Sequence, residues 1–346
     1  MPKAKYVPIL KLKKGEIEAL KNLTERQATS ILPLFELVEE DDEYALMNSL
    51  DNFNLDHFYI DTSYIDNLER DLLLKLMDEN QTNEKKLYPV LYFDDLPEIA
   101  DKVLTKCSRI LYRIPVPEDI IDGPVYSEMI DKIIHWKENK GIVVDLMLDI
   151  NIIRDKKEAN ILFNELKNLL NDYLLDKDFY EHIILAMTSF PTDLSTLPAG
   201  ESWFVERLDI KLFKVIYQNP KFTDIKEKFL YADYGVTRFT DSEIDFSKLR
   251  NGILPKAKYT TKDNYWILKG KRDKITRTMI MNHTALAKEI YESDQYYGEH
   301  FSFGDLDIKK RALKDIGPGN NTQWVTIAAN HHIAVVVDEL SKIYGF

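Results

Sequence analysis

The chain has 346 residues, 45% hydrophobic and 30% charged, enough for one large domain with an appendage or for two ordinary domains. A formal net charge of -12 sets the average surface against DNA, RNA and anionic lipid, so any nucleic-acid contact needs a local basic patch. The single cysteine, Cys107, excludes internal disulfides and a thiolate zinc cluster.

The opening residues Met1 to Lys5 carry no apolar signal core. No run approaches the roughly 18 apolar residues of a membrane span, so a cytoplasmic protein is expected. From Tyr6 onward, apolar runs of strand length alternate with helical patterns. Tyr6 to Lys13 reads as a strand and Glu16 to Thr29 as a helix. Ile31 to Val38 is the second strand, with a short helix near Tyr44 to Leu50. His57 to Ser63 leads to a helix from Asn67 to Asp78, and Leu87 to Asp94 to one from Pro97 to Thr105. Arg109 to Pro115 precedes a helix from Tyr126 to Asn139, closed by Gly141 in the manner of a C-terminal glycine. Ile142 to Asp149 is followed by a long helix from Lys156 to Leu175. Ile183 to Phe190 is followed by a helix from Trp203 to Tyr217, and Phe229 to Val236 is the eighth strand.

Eight such units in about 240 residues predict an α/β fold, a (β/α)8 TIM-like barrel over residues 1–240. The rival, a doubly wound open sheet, lacks its Gly-rich first turn, because Lys13-Lys14-Gly15-Glu16 holds one glycine. Residues 241–346 change in texture and predict an α+β appendage packed on the barrel. A hairpin of Lys256 to Thr261 and Tyr265 to Lys269 is followed by a helix from Ile275 to Tyr291. A glycine-bearing loop, Phe301 to Asp305, and a turn, Gly317 to Asn321, precede a last helix from Trp324 to Ile343.

In a parallel barrel every second side chain points inward, and those at the C-terminal strand ends line the mouth where barrel sites sit. The polar parity selects Lys11 and Lys13, Glu36, Asp61, Asp94, Arg113, Asp145 and Asp149, Thr188 or Ser189, and Asp233 or Tyr234. Any one of these could simply cap a strand or close the barrel with a salt bridge. A charge at nearly every strand end is more than solvation requires, and buried charges are costly unless paired. Glu36, Asp61 and Asp149 are therefore candidate catalytic groups for acid–base work, with Arg113 and Lys11 to hold a small anionic ligand. The same carboxylates would suit Mg2+ through oxygen, and the spacing leaves both options open.

His331 and His332 form the most conspicuous titratable pair, but neighbours on a helix point about 100° apart and do not easily share a metal. One is expected to reach a site, with His331 the catalytic candidate, while the other packs. No HxH or HExxH spacing occurs, so zinc is not expected. Trp266 and Trp324 read as core rather than as stacking platforms. Residues 250–277 hold nine Lys or Arg against two Asp, with Tyr259, Tyr265 and Trp266 interleaved. Lys269, Lys271 and Arg272 are thus nucleic-acid candidates, weighed against a merely solvated hairpin face.

Several segments together resemble the beta protein family of phage-encoded and bacterial proteins. They are Tyr6-Val7-Pro8-Ile9-Leu10-Lys11 with Gly15-Glu16, Leu32 to Glu36, Asp233-Tyr234, Tyr259-Thr260 with Trp266, Phe301 to Asp305, and Gly319-Asn320 through Trp324 to Asn330-His331-His332. The resemblance implies a role in phage–host conflict and supplies no reaction. It directs attention to Lys11, Glu36, Asp233, Gly304, Asp305, Trp324, His331 and His332 as ligand-site candidates. The leading expectation is a mouth site for a phosphate- or nucleotide-type ligand, with hydrolysis as the candidate reaction. The alternative is non-catalytic recognition of a protein or nucleic acid through the appendage.

Overall fold

The computed structural model describes residues 4–38, 46, 53–80, 85–116, 123–175, 177–236 and 254–345. Its strands are β1 (Tyr6–Leu10), β2 (Leu34–Glu36), β3 (His57–Asp61), β4 (Lys86–Leu91), β5 (Arg109–Pro115), β6 (Val143–Ile152), β7 (Ile183–Thr188), β8 (Ser202–Glu206), β9 (Phe229–Asp233), β10 (Lys256–Thr260), β11 (Asn264–Lys269), β12 (Lys271–Arg272) and β13 (Met279–Met281). Its helices are α1 (Lys14–Lys21), α2 (Glu25–Thr29), α3 (Asp71–Asn80), α4 (Pro97–Leu104), α5 (Gly123–Lys140), α6 (Lys156–Leu169), α7 (Leu208–Tyr217), α8 (His283–Tyr291), α9 (Phe303–Ala312) and α10 (Asn321–Tyr344).

The chain divides into two compact units. The first comprises Met1–Leu12, Thr29–Thr188 and Leu208–Tyr234. In it β1 to β7 and β9 close into an all-parallel barrel, with β9 pairing to β7 on one side and β1 on the other. All eight predicted barrel strands are present. They were recognisable because strands covered on both faces become near-continuous apolar runs. The outward parity is marked by Tyr112, edge-on to Trp136 of α5, and by Tyr231, edge-on to Phe213 of α7. The inward parity therefore holds Tyr59 and Asp61, Arg109 and Arg113, Asp145 and Asp149, and Tyr234. The first turn of α6 is held by Asp155, whose side chain accepts from the Glu158 amide.

The second unit comprises Lys13–Ala28, Ser189–Arg207 and Gly235–Phe346. It thus takes in residues 13–28 and 189–207, which the predicted division placed with the barrel. The predicted boundary at 240/241 and the predicted helix near Tyr44 to Leu50 fall on or beside residues outside those described. Here β10, β11 and β8 form an antiparallel sheet. Tyr259, Trp266, Leu286, Ile290, Ile308, Trp324 and Ile327 make a core between that sheet and α8, α9 and α10. Helix α10 opens on a capping box, in which Asn320 and Gln323 each bond the other's backbone amide, and ends on Gly345 in the left-handed conformation.

Four predicted elements are corrected. The helix from Trp203 begins only at Leu208, because Ser202–Glu206 pairs with β11 and its Trp-Phe-Val run suits a pleated sheet. The helix from Ile275 begins only at His283, where the Asn282 side chain caps it. The loop Phe301 to Asp305 is the start of α9, with Ser302 as its N-cap. The single helix Glu16 to Thr29 is two, interrupted at Asn22.

Candidate functional site

At the C-terminal ends of the barrel strands, Arg113 is the hub of a buried cluster. Its Nη1 donates to Glu36 Oε1 at 2.8 Å and to Asp61 Oδ2 at 2.9 Å. Its Nε and Nη2 both reach Asp149 Oδ2, at 2.9 and 2.7 Å, and Nη2 also donates to the Tyr234 hydroxyl at 2.8 Å. Five guanidinium protons meet this set of acceptors. The Tyr234 hydroxyl donates in turn to Asp149 at 2.7 Å, and the Tyr92 hydroxyl donates to Asp61. Ser63 adds its backbone amide to Asp61 Oδ1 at 3.0 Å.

The electrostatics are unbalanced, with three carboxylates facing one guanidinium. Burial pushes the Glu36 carboxyl up to about 7; the charges of Asp61 and Asp149 add to that, and Arg113 only partly offsets it. Burial likewise lifts the Tyr92 and Tyr234 phenols well above their ordinary value, so both remain hydrogen-bond donors. Arg113 keeps its charge, because the surrounding tyrosines and carboxylates outweigh the cost of burying it. The result is a carboxyl poised to gain or release a proton near neutral pH, beside two carboxylates that a cation holds in place.

Glu36, Asp61, Arg113, Asp149 and Tyr234 are thus brought together as the strand parity predicted. Arg113 differs in role: its donors are spent on carboxylates and tyrosines, so it organises the cluster rather than offering itself to an anion. Lys11 lies half-buried just beyond β1. Asp233 belongs to the other parity of β9 and accepts from the Tyr6 hydroxyl at 2.7 Å. Ser189 falls in the second unit, where its hydroxyl donates to the Glu206 carbonyl, and Thr188 ends β7, buried. Tyr92 was missed, although it lies two residues before Asp94 on the same parity and could have been found by treating tyrosine as a polar residue.

Asp145 belongs to a second layer, at the opposite end of the barrel. Its Oδ2 accepts from Arg109 at 2.5 Å and from the Tyr59 hydroxyl at 2.6 Å, and its Oδ1 lies 2.8 Å from His182 Nδ1. Burial opposes ionisation here, yet the hydrogen bond from His182, the Arg109 charge and the Tyr59 bond hold the carboxyl below its usual range.

The remaining candidates lie in the second unit. His331 Nδ1 is 2.8 Å from Asp305 Oδ2, and Nε2 is 2.8 Å from the Thr260 carbonyl, so both ring nitrogens face acceptors. Asp305 also accepts from the Ser302 and Tyr259 hydroxyls, at 2.5 and 2.7 Å. The His331 ring stacks on Tyr259 at 3.9 Å, and His332 Nδ1 lies 2.9 Å from the Thr260 hydroxyl. Both histidines are buried mid-helix. Gly304 lets α9 approach α10, since a Cβ there would lie 2.5 Å from the Ile327 carbonyl. Trp324 is core, as expected, stacked on His283 at 4.9 Å with its indole N–H on the Pro318 carbonyl. Among the nucleic-acid candidates, Lys269 donates to the carbonyls of Leu194, Ser195 and Leu197, whereas Lys271 is exposed and Arg272 half-buried.

The fold and mouth define a (β/α)8-barrel protein with a carboxylate-rich centre gathered on one arginine. The Beta protein family model matches residues 6–338, and the chain belongs to that family. No curated protein matches it. A solved structure titled as that of Cj0485 dehydrogenase overlays with a TM-score of 0.27 at 10% identity, over 70% of this chain and 99% of that one. An overlap that slight bears on neither fold nor activity. Among the described residues, no group of three or more His, Cys, Asp or Glu is arranged to hold a metal ion, and no helix is long and apolar enough to cross a membrane.

Proposed function

We propose that the barrel mouth is a ligand site that performs proton transfer, with Glu36 as the acid–base residue and Asp61 and Asp149 as the groups that orient the ligand. The observation that carries this reading is the convergence of Glu36, Asp61 and Asp149 on Arg113 at the end of the barrel where such folds place their chemistry. The ligand class we favour is nucleotide-like. Its sugar hydroxyls or base amino groups, being donors, suit the carboxylates, while Lys11 is the cation for its phosphate. Hydrolysis is the reaction class this combination serves, with Glu36 moving the proton. Family membership supports a setting in phage–host conflict, inside the cytoplasm.

The test is a thermal-shift panel of nucleotides, phosphosugars and Mg2+ with the purified chain, followed by turnover assays on any hit. A ligand at a hundredfold excess over Kd stabilises by about 2.7 kcal/mol. The reading expects a hit that disappears in Glu36→Gln and Asp149→Asn, with a pH dependence centred near 7 that the Glu36 variant lacks. Hits that survive both substitutions would exclude the mouth.

A further inference from the structure

The second unit carries a two-stranded ribbon, β12 and β13, joined by an exposed tip. Residues 274–280 are exposed without interruption. Three of them are large and apolar: Ile275 is 91% exposed, Ile280 55% and Met279 36%. Single exposed aliphatics are ordinary, but three within six residues on one ribbon make a patch. The tip is also held in one shape. The Asp273 carboxylate accepts from the Ile275 and Thr276 amides at 2.8 and 2.7 Å, and the Asp273 amide donates to the Thr278 carbonyl at 2.8 Å. Ordering Ile275 on binding therefore costs little further backbone entropy.

The charges on the ribbon itself are mostly basic. Lys271, Arg272, Lys274 and Arg277 lie on the ribbon, and its one acid, Asp273, is occupied inside the turn. This basic rim stands out in a chain of net charge -12. We infer that the β12–β13 ribbon docks a protein partner whose surface offers an apolar notch for Ile275, bordered by Asp and Glu side chains. An apolar anchor inside a charged rim is the usual anatomy of a protein interface. A nucleic acid fits less well. The exposed apolar side chains are aliphatic and provide no stacking platform, and Lys269 is tied to three carbonyls.

The experiment is selection of a phage-displayed random dodecapeptide library on the full chain, with titration of the enriched peptides against the variants Ile275→Asp and Lys274→Glu/Arg277→Glu. Both variants alter exposed side chains, and an unchanged melting temperature verifies their fold. The inference expects enriched peptides with one or two large apolar residues flanked by carboxylates. It expects binding at least tenfold weaker to either variant, and weakened by salt. It is overturned by peptides without carboxylates, by equal binding to Ile275→Asp, or by a short duplex that binds through Ile275 and outcompetes the peptides. It is also overturned by concentration-dependent dimerisation of the chain that Ile275→Asp abolishes, which would make the occupant a second copy. None of these outcomes depends on the barrel mouth.

Discussion

The two ends of the barrel use the same pair of strands in the same way and arrive at different results. Arg109 and Asp145 pair across β5 and β6, and Arg113 and Asp149 repeat that pairing four residues further on. At the N-terminal end the account is closed: one guanidinium meets one carboxylate, and Tyr59 and His182 satisfy what remains. At the C-terminal end the same arginine–aspartate pair has gathered Glu36 and Asp61 as well, and burial, with the charges of Asp61 and Asp149 adding to it, raises the Glu36 carboxyl. A balanced buried pair is a structural element, whereas an unbalanced one holds a group whose protonation can change. The surplus, rather than the presence of buried charge, distinguishes the mouth from the N-terminal end.

The largest effect is expected from Arg113→Met. It strands three buried carboxylates, and breaking a buried pair typically costs 3–5 kcal/mol, so urea denaturation at pH 8 is expected to show a loss of about 5 kcal/mol. Part of that loss should return at pH 5, as protonation removes the uncompensated charge. Arg109→Met, which strands Asp145 alone, is expected to cost less. Equal losses would erase the distinction between the two ends.

Next is Asp145→Asn, with an expected cost of roughly 3 kcal/mol near neutral pH. Asp145 is held below the usual carboxylate range, so its contribution is fully present above the unfolded value near 3.9 and is lost as pH falls through the folded value. The stability gap between wild type and variant should therefore be flat above about pH 5 and close in acid. A gap that widens on acidification would contradict a balanced pair.

Glu36→Gln should behave in the opposite sense. The Glu36 carboxyl binds its proton more tightly in the folded chain, so its contribution is full below about 4.5 and falls as pH rises through about 7. That drift is worth about 3 kcal/mol in wild type and should be absent in Glu36→Gln. The variant is thus expected to lose ligand response while matching or exceeding wild-type stability at pH 8, the usual mark of a residue kept for function. A plain destabilisation at every pH would make Glu36 a structural residue.

Much of this was readable from residues alone, for reasons that also explain what was not. The barrel strands announce themselves locally, and alternation then assigns Glu36, Asp61, Arg113 and Asp149 to one face. Who bonds whom depends on strand stagger around a closed barrel, so the saturation of Arg113 could not be inferred. Strand β8 was misread because its partner β11 lies some sixty residues on, beyond any local period. His331 and Asp305 were marked by resemblance, but their joint burial depends on how closely α9 meets α10 at Gly304.

The smallest and most discriminating comparison removes one hydroxyl at each end. Tyr59→Phe takes a donor from Asp145, and Tyr92→Phe takes one from Asp61. A hydrogen bond to a charged group contributes about 1.5–3 kcal/mol. At the N-terminal end that contribution is purely structural, so Tyr59→Phe should lower stability by roughly that amount and leave ligand-induced shifts intact. At the mouth, Asp61 keeps Arg113 and the Ser63 amide, so Tyr92→Phe should cost less than about 1 kcal/mol. The acceptor position vacated on Asp61 Oδ2, which still accepts from Arg113, should instead show in the ligand response, through altered affinity or a shifted pH midpoint. If the two variants split stability and ligand response in the same way, the surplus of carboxylate at the mouth is packing and not chemistry.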